Sequence, residues 1–202
     1  VGASGHPPGP YTSAVMAQDL AAVVDALDLR SFHLAGVSMG GAIAQSYAAM
    51  HPERLRSVVL ANTYAVADAF TRAAFESWAL VADAAGMAVM MRQIGPWIFS
   101  PAMYADEPAR VAELIAGAEQ TTQSSAAFAA QMAALVTHDS TATAAQLQVP
   151  ALVIAASDDI IIRPALSRRL HDLLPHATWA EVPGGHAAFW ENPQPWNTAI
   201  LD

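Results

Sequence analysis

Short apolar runs alternate with helical patterns over the first third of the chain. Apolar residues recur at helical spacing from 16 to 27, which predicts a helix capped by Thr12 or Ser13. The apolar run 32–37 predicts a strand, an alanine-rich helix follows it, and a second strand is predicted over 58–62. A strand, a helix and a strand within so short a span predict a parallel β-α-β unit.

Residues 64–146 show a helical pattern in which no strand is predicted. Breaks in this pattern are predicted at Gly95-Pro96, near Pro101 and near Pro108. A helical insertion between two strands is expected to lie as a cap over the carboxyl edge of the sheet, where open α/β sheets bind ligands. We therefore expect a core formed by 1–64 and 147–202 and a cap formed by 65–146.

The last third of the chain returns to strands and helices. The run 151–156 is almost continuously apolar, as expected of a strand that is buried in a parallel sheet. A helix over 164–174, a short strand over 178–182 and a terminal helix from Pro193 complete the pattern. The predicted fold is therefore α/β, with a parallel sheet flanked by helices and a helical cap.

Composition narrows the possible functions. Hydrophobic residues make up 54 % of the 202 residues and charged residues 13 %, which is typical of a globular protein. The formal charge of −9 argues against nucleic acids and anionic membrane surfaces as partners. No apolar run reaches the length of a membrane span. The chain has no cysteine, which excludes disulfides and thiolate sites and fits the cytoplasmic location that we expect.

The strand over 32–37 breaks at a serine between two glycines, Gly36-x-Ser38-x-Gly40. About one random chain in fifteen of this length contains such a pattern. The evidence for a nucleophile therefore comes from the position of the pattern between a strand and a helix. A nucleophile at the apex of a sharp strand-to-helix turn needs a strained backbone, and we expect glycine to be required on both sides. The alternative is a glycine-rich turn that only packs a helix on a strand.

A serine hydroxyl becomes a nucleophile when a base takes its proton and an acid orients that base. Asp159 follows the strand over 151–156, and His186 follows the strand over 178–182. In a parallel sheet, both side chains would project from the same edge as Ser38. No His, Asp or Glu set has metal-binding spacing, and no G-x-G-x-x-G follows a strand, so neither a metal nor a nucleotide cofactor is predicted.

These motifs resemble the α/β-hydrolase superfamily. The similar segments are PPGPYT, GVSMGG, HPERLRSVVLAN, VPALVIAASDDIIIRP and VPGGHAAFWENP. ASDD, GGH and the cap length are most similar to the 3-oxoadipate enol-lactonase and aminoacrylate hydrolase group. The resemblance implies Ser38 as nucleophile, Asp159 as acid, His186 as base and the Met39 N–H as an oxyanion donor. It implies a cofactor-free serine hydrolase that cleaves a small carboxylic ester or lactone.

Alternatives remain open for several residues. Asp158 adjoins Asp159 and is the other candidate for the acid. His33 and His51 are interpreted as structural residues. His138, His171 and His176 are interpreted as surface or loop residues. Glu191 and Asn192 are expected to begin the last helix. In the cap, a substrate carboxylate could be bound by Arg72, Arg92 or Arg110, which could equally be solvated.

Other functions fit the same pattern. A cofactor-free perhydrolase or haloperoxidase, or a hydrolase of C–N bonds, would use the same scaffold. A catalytically silent fragment that binds an apolar ligand is the alternative from another class.

Members of the superfamily normally begin with further strands and a His-Gly-rich loop that donates a second oxyanion N–H. No segment of this sequence corresponds to them, so we expect the chain to be an N-terminally truncated piece of a longer protein. The strand over 32–37 would then be an exposed apolar edge. Loss of one oxyanion donor typically lowers the rate about 100- to 1000-fold, which predicts weak activity for the chain alone.

Overall fold

Four parallel strands form one sheet in the computed structural model, which describes residues 4–7 and 9–201. The strands are β1 (Phe32–Val37), β2 (Leu55–Ala61), β3 (Ala151–Ala156) and β4 (Ala177–Val182), and they are paired in that order. The α/β fold with a parallel sheet is thereby confirmed. Residues 1–3, 8 and 202 of the expected core lie outside the described residues.

Helices cover both faces of the sheet. They are α1 (Ser13–Ala26), α2 (Met39–Met50), α3 (Ala69–Ala85), α4 (Met87–Ile98), α5 (Pro101–Asp106), α6 (Pro108–Glu119), α7 (Ser125–Thr137), α8 (Thr141–Ala144), α9 (Pro164–Leu173), α10 (Ala188–Glu191) and α11 (Pro193–Leu201). The α1, α2 and α9 helices pack on one face around Leu60 and Val153, and Trp196 of α11 packs on the other against Ile154. Alternate residues of each strand therefore enter different halves of the core.

The second strand begins three residues earlier than predicted. Leu55 pairs with Phe32, and His33 pairs with Ser57, so Arg56 is an extra residue in the β1–β2 pairing. Among the described strands, β1 pairs with β2 alone, and His33 and Ala35 are exposed. The described part of the sheet thus has β1 and β4 at its edges.

The six helices α3–α8 all lie between β2 and β3, in the region predicted to be helical, and the segment that they form is called the cap below. The predicted breaks near Pro101 and Pro108 are confirmed, because each proline occupies the first position of a new helix. The predicted break at Gly95-Pro96 is wrong, since α4 continues through it to Ile98. Gly95 instead lets two elements approach: a Cβ there would lie 2.7 Å from both Ile115 Cδ1 and the Tyr104 hydroxyl.

His138, interpreted from the sequence as a surface or loop residue, lies in the loop directly after α7 but is buried, so the placement at the surface is wrong. Its Nδ1 lies 2.9 Å from the Ser13 hydroxyl at the start of α1, and its Nε2 is buried without a hydrogen-bond partner. Burial lowers the pKa of His138 from 6.5 to about 4, although the neighbouring Asp139 carboxylate opposes the change. The neutral imidazole therefore belongs to the folded state.

This burial predicts a pH dependence of stability. Because the pKa of His138 is lower in the folded chain, the unfolded chain takes up the proton first as the pH falls from 6.5 to about 4. The contribution of neutral His138 to the free energy of unfolding is complete above pH 6.5 and is lost as the pH falls to about 4. This contribution amounts to at most about 3 kcal/mol. Urea unfolding from pH 7 to 4 should show a shallower decline for His138→Gln than for the parent. The exposed His176→Gln is the control; an unchanged decline in His138→Gln would contradict the assignment.

Candidate active site

Ser38 occupies the sharp turn between β1 and α2. Its backbone has φ 53° and ψ −118°, a conformation that non-glycine residues rarely adopt. The Ser38 N–H donates to the Ala61 carbonyl at 2.9 Å, and the Thr63 hydroxyl donates to the Ser38 carbonyl at 3.0 Å. The end of β2 therefore holds the strained serine from both sides.

The glycines beside Ser38 have different roles. A Cβ on Gly36 would overlap the backbone of Gly40, so no larger residue fits in this turn. A Cβ on Gly40 would meet no atom within 4 Å, and the expected steric need for glycine there is wrong. The second crowded position is Gly41, whose Cβ would lie 2.6 Å from the Thr63 side chain. The close approach occurs where the first turn of α2 packs against the end of β2.

Asp159 is buried in the turn that follows β3. One carboxylate oxygen accepts the backbone N–H groups of Ile161 at 2.9 Å and Ile162 at 2.8 Å. The other lies 2.7 Å from Nδ1 of His186. Asp158 is exposed and accepts a hydrogen bond from the Ser157 hydroxyl at 2.9 Å. Of the two adjacent carboxylates, the structure brings that of Asp159 to the histidine.

His186 lies in the loop after β4 and is also buried. An ionised carboxylate only accepts hydrogen bonds, so Nδ1 of His186 carries the proton that is donated to Asp159 and Nε2 is the free acceptor. In the described residues no hydrogen bond joins the Ser38 hydroxyl to His186. The structure therefore joins two of the three predicted residues directly and places the third at the strained turn.

Asn62, which sequence reasoning missed, holds the histidine loop to the sheet. Its amide N–H donates to the His186 carbonyl at 2.8 Å, and its amide oxygen accepts the Ala156 N–H at 3.0 Å. Asn62 is fully buried and has φ 45°. A polar Asn-Thr pair directly after an apolar strand was the signal in the sequence that could have identified it.

The Met39 N–H, assigned to the oxyanion site by the resemblance, belongs to the first residue of α2. An N–H at this position has no acceptor within its own helix, and it lies at the positive end of the helix dipole. The Met39 side chain packs against a buried apolar cluster that includes Phe75, Trp78 and Met90. An apolar wall thus lies beside the Ser38 turn.

A cavity of about 740 Å³ lies elsewhere on the cap. It is lined by residues of α4 and α6 and by Trp190, and neither Ser38 nor His186 contributes to it. The cavity and the three candidate catalytic residues therefore do not coincide.

Each cap arginine that was considered for substrate binding has a partner in the structure. Arg72 donates to the Ala67 carbonyl at 2.9 Å. Arg92 forms an exposed ion pair with Glu119 at 2.7 Å, and Arg110 forms one with Glu107 at 2.9 Å. Among the described residues there is no group of three or more His, Asp or Glu that could hold a metal ion.

Comparison with known proteins supports the predicted α/β fold. Residues 1–193 match the family described as alpha/beta hydrolase fold, and the chain belongs to that family. It is therefore an enzyme of the hydrolase type. Over the described ranges, no helix has both the length and the apolar character required to cross a membrane.

Three proteins illustrate the similarity. A protein of Azorhizobium caulinodans provisionally named carbamate hydrolase RutD is 31 % identical over 201 residues, covering 99 % of this chain and 76 % of the relative. The 3-oxoadipate enol-lactonase 2 of Acinetobacter baylyi is 29 % identical, covering 98 % and 73 %. The crystal structure of the Burkholderia xenovorans enol-lactonase superposes with a TM-score of 0.91 at 27 % identity, covering 100 % and 76 %.

Replacing each glycine beside Ser38 by alanine tests the geometry of the turn. Gly36→Ala should lower the free energy of unfolding by at least about 2 kcal/mol, because the new methyl group overlaps the backbone of the helix start. Gly40→Ala should be neutral or stabilise by up to about 1 kcal/mol, because its Cβ enters open space in a helix. Denaturant unfolding of both variants measures the difference; equal losses of stability would contradict the described geometry.

Proposed function

We propose that this chain hydrolyses a small carboxylic ester or lactone through an acyl-enzyme, with Ser38 as nucleophile, His186 as base and Asp159 as the orienting acid. The observation that carries the proposal is the 2.7 Å contact between Asp159 and Nδ1 of His186, which leaves Nε2 free to accept a proton. The strained turn that presents Ser38 at the same edge of the sheet supports it. The similarity to enol-lactonases supports this substrate class.

The proposed reaction has two halves. Nε2 of His186 takes the proton as the Ser38 oxygen attacks the carbonyl carbon, and Asp159 stabilises the resulting imidazolium. The imidazolium then gives the proton to the leaving alkoxide, which leaves an acyl group on Ser38. In the second half His186 deprotonates a water molecule, which attacks the acyl carbon. The imidazolium then returns this proton to the Ser38 oxygen as the bond to the acyl group breaks and the acid is released. The Met39 N–H donates to the oxyanion in both halves.

Hydrolysis of a C–N bond is the second candidate function. It is favoured by the similarity to the protein provisionally named carbamate hydrolase. The same proton transfers would serve, with an amine instead of an alcohol as the leaving group. Parallel assays with an ester and a carbamate of the same acyl size distinguish the two candidates.

The cytoplasmic location of the protein stays a prediction.

The electrostatics favour an uncharged acyl group. The sequence carries a formal charge of −9 and contains no lysine. Its cap arginines Arg72, Arg92 and Arg110 are engaged by carbonyl or carboxylate groups. A substrate carboxylate in the site would lose its hydration, and none of these three arginines is unengaged in the described residues, which makes its burial unfavourable. We therefore infer that the preferred ester or lactone carries no carboxylate.

Labelling with a fluorophosphonate tests the proposed nucleophile. The parent chain should be labelled at Ser38, as read by peptide mapping, and Ser38→Ala should not be labelled. Ser13→Ala is the matched control, because Ser13 also lies 2.9 Å from a histidine nitrogen but belongs to a helix and not to the strained turn. It should be labelled like the parent. A folded parent chain that is not labelled, or is labelled elsewhere, would contradict the proposal.

A pair of chromogenic esters tests the charge preference. p-Nitrophenyl butyrate and p-nitrophenyl hemisuccinate have acyl groups of similar size, but only the second carries a carboxylate. We expect kcat/KM to be at least about tenfold higher for the butyrate, because in the described residues the three cap arginines are already engaged and would not pair with a buried carboxylate. Equal or faster hydrolysis of the hemisuccinate would show that a cation serves the site and would overturn the inference on charge, while leaving the nucleophile assignment intact.

A further inference from the structure

The Glu191 carboxylate joins the histidine loop to the cap. One of its oxygens accepts the Ser100 N–H at 2.9 Å and the Gly185 N–H at 3.2 Å, and its other oxygen also lies 3.2 Å from the Gly185 nitrogen. Gly185 directly precedes His186, and Ser100 lies between α4 and α5 of the cap. The sequence suggested that Glu191 begins the last helix, whereas it ends the short helix α10.

The histidine loop and the cap share a second link. The Ala187 N–H donates to the Ile98 carbonyl at 3.0 Å. The two residues that flank His186, Gly185 and Ala187, are therefore both hydrogen-bonded on the cap side, one through the carboxylate and one directly. On the sheet side Asn62 holds the His186 carbonyl. The backbone around the candidate base is thus fixed from two directions.

The packing at this junction is close. A Cβ on Gly185 would lie 2.7 Å from the Ser100 nitrogen and 2.8 Å from the Ile98 oxygen. Ser100 is 3 % exposed, so its N–H would have little access to water if the carboxylate were removed. Two backbone donors converge on one side chain here, and a carboxylate has enough lone pairs to accept from both. Loss of Glu191 would leave the Ser100 and Gly185 donors unpaired.

We propose that Glu191 is a positioning residue that sets the place of the His186 ring through Gly185 and makes that place depend on how the cap is seated at Ser100. The proposal rests on the proposed function only in that His186 is the base. In the described residues no hydrogen bond joins Glu191 to Ser38 or to the His186 ring, and its hydrogen bonds are made to backbone N–H groups. Movement of the α4–α5 junction therefore changes the alignment of the base, so cap seating regulates the chemical step.

Three substitutions at position 191 separate charge from reach. Glu191→Ala removes the acceptor, and Glu191→Asp keeps the charge but shortens the side chain by one methylene. Glu191→Gln keeps an oxygen at full reach, which can accept from both N–H groups. We expect kcat for p-nitrophenyl butyrate to fall at least about tenfold in the Ala and Asp variants with KM within about twofold. The kcat of the Gln variant should stay within about threefold of that of the parent. Glu181→Gln is the control, because it changes an exposed carboxylate on β4, and its kcat should match that of the parent.

Hydrogen exchange supplies a readout that does not require activity. The amides of Ser100 and Gly185 should lose protection together in Glu191→Ala, while the amides of β2 and β3 keep theirs. Unchanged kcat together with unchanged protection in Glu191→Ala would overturn the proposal, and so would rescue by Asp but not by Gln. If the parent is neither labelled nor active, the proposed function is wrong. The link to the cap is then tested by hydrogen exchange alone, and it is rejected if Glu191→Ala lowers the protection of the Gly185 amide but not that of the Ser100 amide.

Discussion

A buried carboxylate must find hydrogen-bond donors within the protein, and the arrangement of the candidate site depends on how Asp159 finds them. Two donors are the backbone N–H groups of Ile161 and Ile162, which fix the turn after β3. The third is the ring of His186, from the loop after β4. This requirement ties two loops that are distant in sequence and fixes which ring nitrogen of His186 carries the proton. The free nitrogen then gives the site its proposed chemistry.

The parallel sheet brings the participants to one edge. The carboxyl ends of β1, β2, β3 and β4 meet there, and each of the loops that follow contributes to the site. At the end of β2, Thr63 bonds the carbonyl of Ser38 and Asn62 bonds the carbonyl of His186. The cap adds its own bonds through Glu191. The backbone at Ser38 and around His186 is therefore held by side chains from the end of β2 and from α10.

The parts that could be predicted from the sequence were those with a local cause. Apolar periodicity predicted the strands, and the strand-to-helix pattern around Ser38 predicted a strained turn that the backbone angles display. The errors concern contacts between distant segments. Nothing local shows that Gly40 faces open space, that α4 continues through Pro96, or that His138 is buried against α1. The role of Glu191 also has no local signal, because its partner Ser100 is 91 residues away in the sequence.

Nuclear magnetic resonance of the His186 ring tests most directly the interaction on which this account depends. With nitrogen-labelled histidine at neutral pH, we predict that Nδ1 of His186 is protonated, that its proton is strongly deshielded by Asp159, and that Nε2 is unprotonated. Asp159→Asn should abolish the deshielded signal, and Asp158→Asn, which alters an exposed carboxylate, should leave it unchanged. A ring protonated at Nε2, or a signal that depends on Asp158 and not on Asp159, would contradict the account.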